Sequence, residues 1–309
     1  MKRKMKKSIF TNPVFVVIAA LFCTALWGSA TPFIKTGYLC LKVEGIPSIM
    51  LFAGIRFFLA GILTIVICSL IERKFLFPEK ENLKYVGIIS IFQTILQYIF
   101  FYVGLANTSG VKGTILSGSS AFFSILVACL VFKQEKLTVK KVIACIIGFA
   151  GVVVVNLNGL QLNFNFFGDA FVIFSGVSLA FSSVLMKLYS KHENPVVLSG
   201  YQFVSGGLVM TVIGFVCGGT MSFESVKGMG ILVYLAFLSA MAYALWGILL
   251  KYNPVSKVTI FSFMTPVFGV ILSKLILIEE SAVSFANVLI ALILICIGII
   301  TINYQKKED

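Results

Sequence analysis

About ten apolar stretches, each close to twenty residues, follow one another along this chain, and nearly every Lys and Arg falls in alternate gaps between them. A helix needs about 20 residues to cross about 30 Å of hydrocarbon. In lipid the backbone must satisfy its own hydrogen bonds, which leaves helices or closed barrels. The pattern therefore predicts an all-α integral membrane protein with spans near 14–34, 48–71, 84–105, 111–132, 141–157, 168–189, 196–217, 229–250, 258–277 and 284–304. Only 12% of residues are charged and the mean hydropathy is +1.03. The longest gaps, 35–47 and 72–83, have no room for a soluble domain, so any function sits in the bundle itself.

A net charge of +13 raises the question of nucleic acid. The basic residues instead lie in short loops and termini beside apolar spans, as the positive-inside rule expects, and no nucleic-acid partner is expected. With ten spans and a cytoplasmic N-terminus, nineteen Lys and Arg fall on the inner side. Four (Lys35, Lys42, Lys112, Lys227) fall outside, while Arg56 and Lys274 lie within spans. That bias places both termini in the cytoplasm of a cell whose plasma (inner) membrane holds the protein, with the lipid bilayer as its first partner. The run Met1–Lys7 followed by an apolar segment and Gly28-Ser29-Ala30 has the outline of a signal peptide. The apolar run continues to Ile34, however, and the first segment is expected to remain as a helix. The seven cysteines have no paired spacing and read as small hydrophobes in the bundle. The only histidine, His192, has no cysteine neighbour, so neither a metal nor a cofactor is expected.

The chain also resembles itself. Lys112-Gly-Thr114-x-x-Ser117 through Ala121-Phe-Phe to Glu135 aligns with Lys257-Val-Thr259-x-x-Ser262 through Pro266-Val-Phe to Glu280, at a shift of 145 residues. Gly151…Asn156 aligns with Gly298…Asn303 at 147. Arg56-Phe57 aligns with Gln202-Phe203, and Gly61 with Gly207, at 146. Each half holds five spans, and an odd repeat in tandem must cross the membrane in opposite senses. The expected fold is thus ten transmembrane helices as two inverted five-helix repeats, over 14–157 and 168–304. Such repeats suit alternating access, in which the halves exchange roles.

Several local sequences carry a wider resemblance. They are Ala25-Leu26-Trp27-Gly28-Ser29, Arg56-Phe57-Phe58-Leu59-Ala60-Gly61 and Phe132-Lys133-Gln134-Glu135-Lys136-Leu137-Thr138 in the first half. In the second they are Ala242-Tyr243-Ala244-Leu245-Trp246 and Thr265-Pro266-Val267-Phe268, followed by Glu279-Glu280. In this order the chain resembles the EamA family of the drug/metabolite transporter superfamily. Ala121 stands where that family often has Pro, and Phe181 near a common Trp. The resemblance implies a ten-helix carrier opening alternately inward and outward, commonly an exporter of amino acids or other small metabolites.

Polar groups inside spans are costly in lipid and face a cavity or another helix. The candidate substrate-binding residues are Trp27, Ser29, Arg56, Gln93, Gln97, Tyr98 and Tyr102 in the first half, and Ser178, Ser182, Tyr201, Gln202, Tyr243 and Trp246 in the second. Gln93 and Gln97, four apart, are expected on one helix face, flanked by Tyr98 and Tyr102. Ser117-Gly118-Ser119-Ser120 and Gly214-x-x-x-Gly218 suit close helix packing. Arg56, near mid-depth, must have a partner: either an anionic substrate group or helix-end carbonyls and Gln side chains. All twelve acids lie in loops, termini or span edges, which disfavours proton-coupled transport through a central carboxylate. Asp169, at the start of the sixth span, is the one acid read as a candidate coupling residue. The reading is a secondary transporter exporting a small polar, amino acid-like metabolite, with a monomer sufficient for the cycle. The alternative is an uptake carrier or exchanger of an anionic, nucleotide sugar-like substrate. An enzyme is disfavoured because no span carries a His, an acid pair or a Ser with a His partner.

Overall fold

A computed structural model describes residues 9–157, 163–277 and 284–303. Among them the secondary structure is helical throughout. In chain order the helices are α1 (Pro13–Cys40), α2 (Gly45–Glu72), α3 (Lys80–Ala106), α4 (Gly110–Val131), α5 (Val139–Val155), α6 (Phe166–Tyr189), α7 (Pro195–Val216), α8 (Val226–Tyr252), α9 (Val255–Ile276) and α10 (Phe285–Asn303). Among the described residues nine are long and apolar enough to cross a membrane. The exception is α5, whose 17 residues span about 26 Å. The sequence had placed this shortest span at 141–157; Thr138, whose hydroxyl caps the Lys141 amide, starts the helix two residues earlier.

Helix starts follow the usual chemistry of unpaired first-turn amides. Asn12 accepts from the Val14 and Phe15 amides ahead of Pro13, and Asn194 accepts from Val196 ahead of Pro195. Ser109 and Ser225 cap α4 and α8 in the same way. Contacts between connections sort the helix ends into two faces. On one, Asn253 donates to the Phe10 carbonyl, Asn82 to Glu193 and the His192 carbonyl, and Ser256 to Glu135. On the other, the Ser222 amide meets the Leu41 carbonyl, the Thr220 amide meets Ser48, and Thr108 meets Asp169. The first face carries Arg73, Lys74, Lys80, Lys133, Lys136 and Lys191; basic residues from alternate gaps do come together. The Lys-rich termini and Glu279-Glu280 lie outside the described residues.

Apolar burial does little to hold such helices together in lipid, because hydrocarbon is as apolar as Leu; close van der Waals packing does the work instead. The closest seam joins α2 and α7. A Cβ on Gly207 would stand 2.3 Å from the Phe58 amide nitrogen, one on Gly54 2.4 Å from that of Thr211, and one on Gly61 2.6 Å from the Gly200 carbonyl oxygen. Gly214 faces Leu51 equally closely. Numbers rise along α2 as they fall along α7, so the two helices run antiparallel. A second antiparallel seam joins α5 and α10. Gly151 abuts Ala291 and Ile295, and Gly298 abuts Ala144 and Gly148. Away from these seams, Val14, Ile18 and Phe22 of α1 and Ile62, Val66 and Leu70 of α2 point outward, as a lipid-facing surface requires.

Two carboxylates tie the first half of the chain to the second, one at each face: Glu135 through Ser256 and Asp169 through Lys112. At the basic face Glu135 pairs with Lys141 at 2.8 Å and accepts from the Ser256 hydroxyl and, at 3.3 Å, the Ser256 amide. Burial pushes the Glu135 carboxyl up, but the Lys141 ammonium and the two Ser256 donors outweigh it and hold the group below its ordinary value of 4.5. At the opposite face Lys112 pairs with Asp169 at 2.6 Å, and Thr108 and the Asn165 amide complete the carboxylate's partners.

Gly207→Ala should lower the thermal stability of the purified protein, by about 1–3 kcal/mol for overpacking, or prevent insertion. Gly87→Ala, at a position with nothing within 4 Å, should be neutral or slightly stabilising; thermal unfolding in detergent distinguishes them. The depressed carboxyl of Glu135 contributes stability that is complete above pH about 4.5 and is lost as pH falls through its lower folded value. Glu135→Gln should therefore cost about 1.5–3 kcal/mol near neutrality and flatten that acid limb in a stability–pH profile.

Candidate functional site

Polar side chains inside the bundle converge at mid-height, and irregular backbone helps to bring them there. Residues Ile91–Leu96 of α3 form a π-helical turn. The Phe92 carbonyl accepts a hydrogen bond at 2.7 Å from Ser178 of α6 instead of serving only the helix ladder. Insertions of this kind are often found at functional sites. Gln93 and Gln97, expected on one face, sit at the two ends of this turn and part company. Gln93 lines a cavity, while Gln97 reaches toward Tyr243 and keeps a buried Oε1 without a partner.

The cavity has a volume of about 30 Å³, room for roughly one or two water molecules. Its walls come from both halves. Trp27 and Gln93 stand opposite Ser182, Tyr243 and Trp246; Ser120, Ser124, Ser183, Thr259 and Ser262 supply hydroxyls. Gly28 explains the Trp-Gly pair. A Cβ there would lie 2.6 Å from Phe268 Cβ, so its absence lets α9 press on α1 while Trp27 turns into the bundle. Trp27 then packs on Tyr243 and Trp246, with ring centroids 5.1 and 4.9 Å away. Ser182 and Ser183 both donate to the Leu179 carbonyl, and Ser124 donates to Ser120, so these hydroxyls offer the cavity acceptor lone pairs. Ring faces and oxygen lone pairs together suit a positively charged head.

An aromatic partition closes the cavity from the side of the other face. Tyr98 and Tyr243 meet hydroxyl to hydroxyl at 3.1 Å, and Phe57 stacks on Phe203 at 5.2 Å with nearly parallel rings. Phe57 also packs on Tyr98, and Phe203 edge-on to Tyr243, making one contiguous layer. The two members of the hydroxyl pair are 145 residues apart and the two phenylalanines 146, the same spacing that relates the halves in sequence.

Arg56 lies beyond this layer. It is 4% exposed, its guanidinium carbon stands 4.3 Å from the Phe57 ring centre, and Nε and Nη1 have no hydrogen-bond partner. Among the described residues no carboxylate pairs with it. Tyr38, Tyr98, Tyr102 and Tyr243 are all within its electrostatic reach. Trp27 Nε1 is likewise buried without a partner.

Other candidates stand elsewhere or are already engaged. Ser29 shares a 2.8 Å hydrogen bond with Tyr234 and donates to the Leu26 carbonyl. Gln202 accepts from Thr94 at 2.7 Å. Tyr201 donates to the Leu76 carbonyl near the basic face and packs against Phe77, away from the cavity. Asp169 is fully occupied by Lys112, Thr108 and Asn165. Nothing in the sequence singles out Tyr38 or Ser124, and Glu135 stands out there only as a marker of the repeat and of the family motif. The 145-residue spacing of Tyr98 and Tyr243 was the available signal for the partition. Tyr98→Phe should keep the rings but remove the hydroxyl pair, raising the exchange of water-soluble thiol reagents at a cysteine placed in the cavity, for example Ser182→Cys.

Comparison with known proteins gives the geometry a context. The EamA-like transporter family is matched over residues 14–157 and 166–304. The chain is similar to "Uncharacterized transporter YvbV" of Bacillus subtilis, with 26% identity over 93% of this chain and 91% of that protein. It is also similar to an "Uncharacterized transporter" of Archaeoglobus fulgidus, with 28% identity over 85% and 90%. A "WAT1-related protein At3g02690, chloroplastic" of Arabidopsis thaliana is 23% identical over 68% of this chain and 52% of its own length. A solved crystal structure shares the fold, with TM-score 0.73 at 17% identity over 94% of this chain and 97% of that one. With this family matched across both halves of a bundle of apolar helices, the chain belongs to the EamA-like transporter family and is a multi-pass membrane transporter.

Proposed function

We propose that this protein is a secondary carrier of the plasma (inner) membrane that exports a small, polar, amino acid-like metabolite by alternating access. Its halves, 14–157 and 168–304, act as inverted five-helix repeats, with α5 completing ten spans and both termini in the cytoplasm. The observation that carries this reading is the pairing of equivalent residues across the centre. Phe57 meets Phe203 and Tyr98 meets Tyr243, each about 145 residues apart. The contacts of Gly151 with Ala291 and Ile295 are repeated, 147 residues on, as those of Gly298 with Ala144 and Gly148. Equivalent helices α2 and α7 run antiparallel, as a two-fold axis in the membrane plane demands.

The residues support one cycle. The small cavity, the aromatic partition and the ion pairs at both faces suit a closed intermediate. Opening toward the basic face separates Glu135 from Ser256; opening toward the other separates Lys112 from Asp169. Symmetry makes the two motions similar in cost, because the same α2–α7 and α5–α10 seams serve as axles for both. The hydroxyl and aromatic lining suits an ammonium group, while the net absence of buried carboxylates at the cavity argues for a neutral or zwitterionic cargo. The basic residues gathered on one face support cytoplasmic termini by the positive-inside rule.

Proteoliposomes loaded with unlabelled amino acids should accumulate the matching labelled amino acid by counterflow, without need of a proton gradient. Absence of exchange for every member of the panel overturns the substrate class. Cysteine-accessibility mapping should label residues of the 132–138 connection from the cytoplasm and of the 217–225 connection from outside. The reverse pattern overturns the orientation.

A further inference from the structure

We propose that Arg56 is the anion anchor of the transport site and that the cargo must present a carboxylate to it across the Tyr98–Tyr243 partition. The inference rests on the carrier reading above and adds to it which chemical group the cargo needs.

A charge held at mid-helix in a membrane bundle is retained only where it is paired, solvated or used. Arg56 is buried, two of its nitrogens lack partners, and no carboxylate among the described residues approaches it. A structural arginine would have its donors satisfied by helix-end carbonyls or amides. Here the Gln97 oxygen is not used for that purpose and has no partner, and Gln202 gives its oxygen to Thr94 and keeps an unpartnered Nε2. What surrounds the guanidinium is a ring face on one side and tyrosine hydroxyls near it. Phe57 covers the guanidinium plane without using Nε or Nη1, which leaves a donor on each edge for a carboxylate, the second arm of either fork being supplied by Nη2 beside Tyr98.

The cavity on the other side of the partition supplies the complementary half. Its serine oxygens and the faces of Trp27 and Trp246 favour a cation. Tyr98 and Tyr243 bridge the cavity and Arg56: Tyr243 lines the cavity and Tyr98 lies by the arginine. Parting their hydroxyls joins the two compartments into one site, with an anion end at Arg56 and a cation end at Ser182 and Trp246. A cargo bearing both charges spans it, and its carboxylate takes over the unpartnered donors. Binding would thus require the partition to open, which couples recognition to the motion.

The test uses the purified full-length protein in detergent and in proteoliposomes, with a fixed panel of L-alanine, L-leucine, L-phenylalanine and L-glutamine, their carboxamides and their decarboxylated amines. Arg56→Met, which removes an unpartnered buried charge, should raise the melting temperature of the empty protein. In the wild type at least one amino acid should stabilise the fold while its carboxamide and amine do not, and at least a tenfold loss of that binding should follow Arg56→Met. Arg56→Lys, which keeps the charge but not the fork, should fall between. A lowered melting temperature in empty Arg56→Met, with undiminished preference for the carboxylate in Arg56→Lys and Arg56→Gln, makes the residue structural and overturns the proposal. So does equal stabilisation by acid and carboxamide, or no preferential response to any acid in the panel. Counterflow without a carboxylate preference would leave the carrier reading standing and remove the anchor alone.

Discussion

The antiparallel seam between α2 and α7 is the contact on which the remaining architecture depends. In hydrocarbon there is no solvent penalty to drive helices together, so the closest approach of backbones sets which helices pair. Gly54 and Gly61 on one helix, with Gly207 and Gly214 on the other, bring main chains into contact along several turns. Phe57 and Phe203 then necessarily meet beside the seam and stack. That stack seats Tyr98 and Tyr243 against it, and the two tyrosines close the polar centre. A seam of small residues thus determines where the aromatic layer lies, and the layer determines what the polar residues on its two sides can reach.

The polar centre departs from the rules that make the rest of the bundle stable. Most hydroxyls in the spans bond to the carbonyl three or four residues earlier, which hides them from lipid at little cost, as with Thr64, Ser124 and Ser239. Arg56, Gln97 and Trp27 do not resolve their polar atoms in this way. Buried donors and acceptors left without partners cost more than an apolar replacement would. All three residues stand beside the aromatic partition, while two further unpartnered amide nitrogens lie on Gln202 of α7 and on Gln134 in the 132–138 connection. The carboxylates at the two faces have the opposite character: each has its ion pair completed by further hydrogen bonds, and Glu135 reaches the second half through Ser256 as Asp169 reaches the first through Lys112 and Thr108.

Some of this was legible in order along the chain. The apolar spans, the basic gaps and the near-constant shift between halves are properties of sequence alone, and Arg56, Trp27, Tyr98, Tyr243 and Trp246 stand out because polar or amphipathic groups in apolar runs are costly. Other features were not. Spacing marks Gln93 and Gln97 as neighbours on α3, but only packing puts Gln93 in the cavity wall and directs Gln97 to Tyr243. Tyr201 has the same local credentials as Tyr98, yet it serves the Leu76 carbonyl near a loop. Glu135 looked like a loop acid until its pairing with Ser256, 121 residues away, was visible.

What sequence by itself determined is the kind of protein: helices long enough for a bilayer, joined by short gaps and carrying the ordered motifs of its family. Those follow from hydropathy, helix rise and charge placement, which are local quantities that accumulate along the chain. The tertiary structure decided which polar residues share a space, which are spent on helix neighbours, and which are left unsatisfied. Distance between residues far apart in sequence is what makes or withholds a hydrogen bond, and only packing sets that distance. Arg56 and Gln202 are equivalent in the repeat, but packing gives Gln202 a threonine for its oxygen while its Nε2, like Nε and Nη1 of Arg56, is left without a partner.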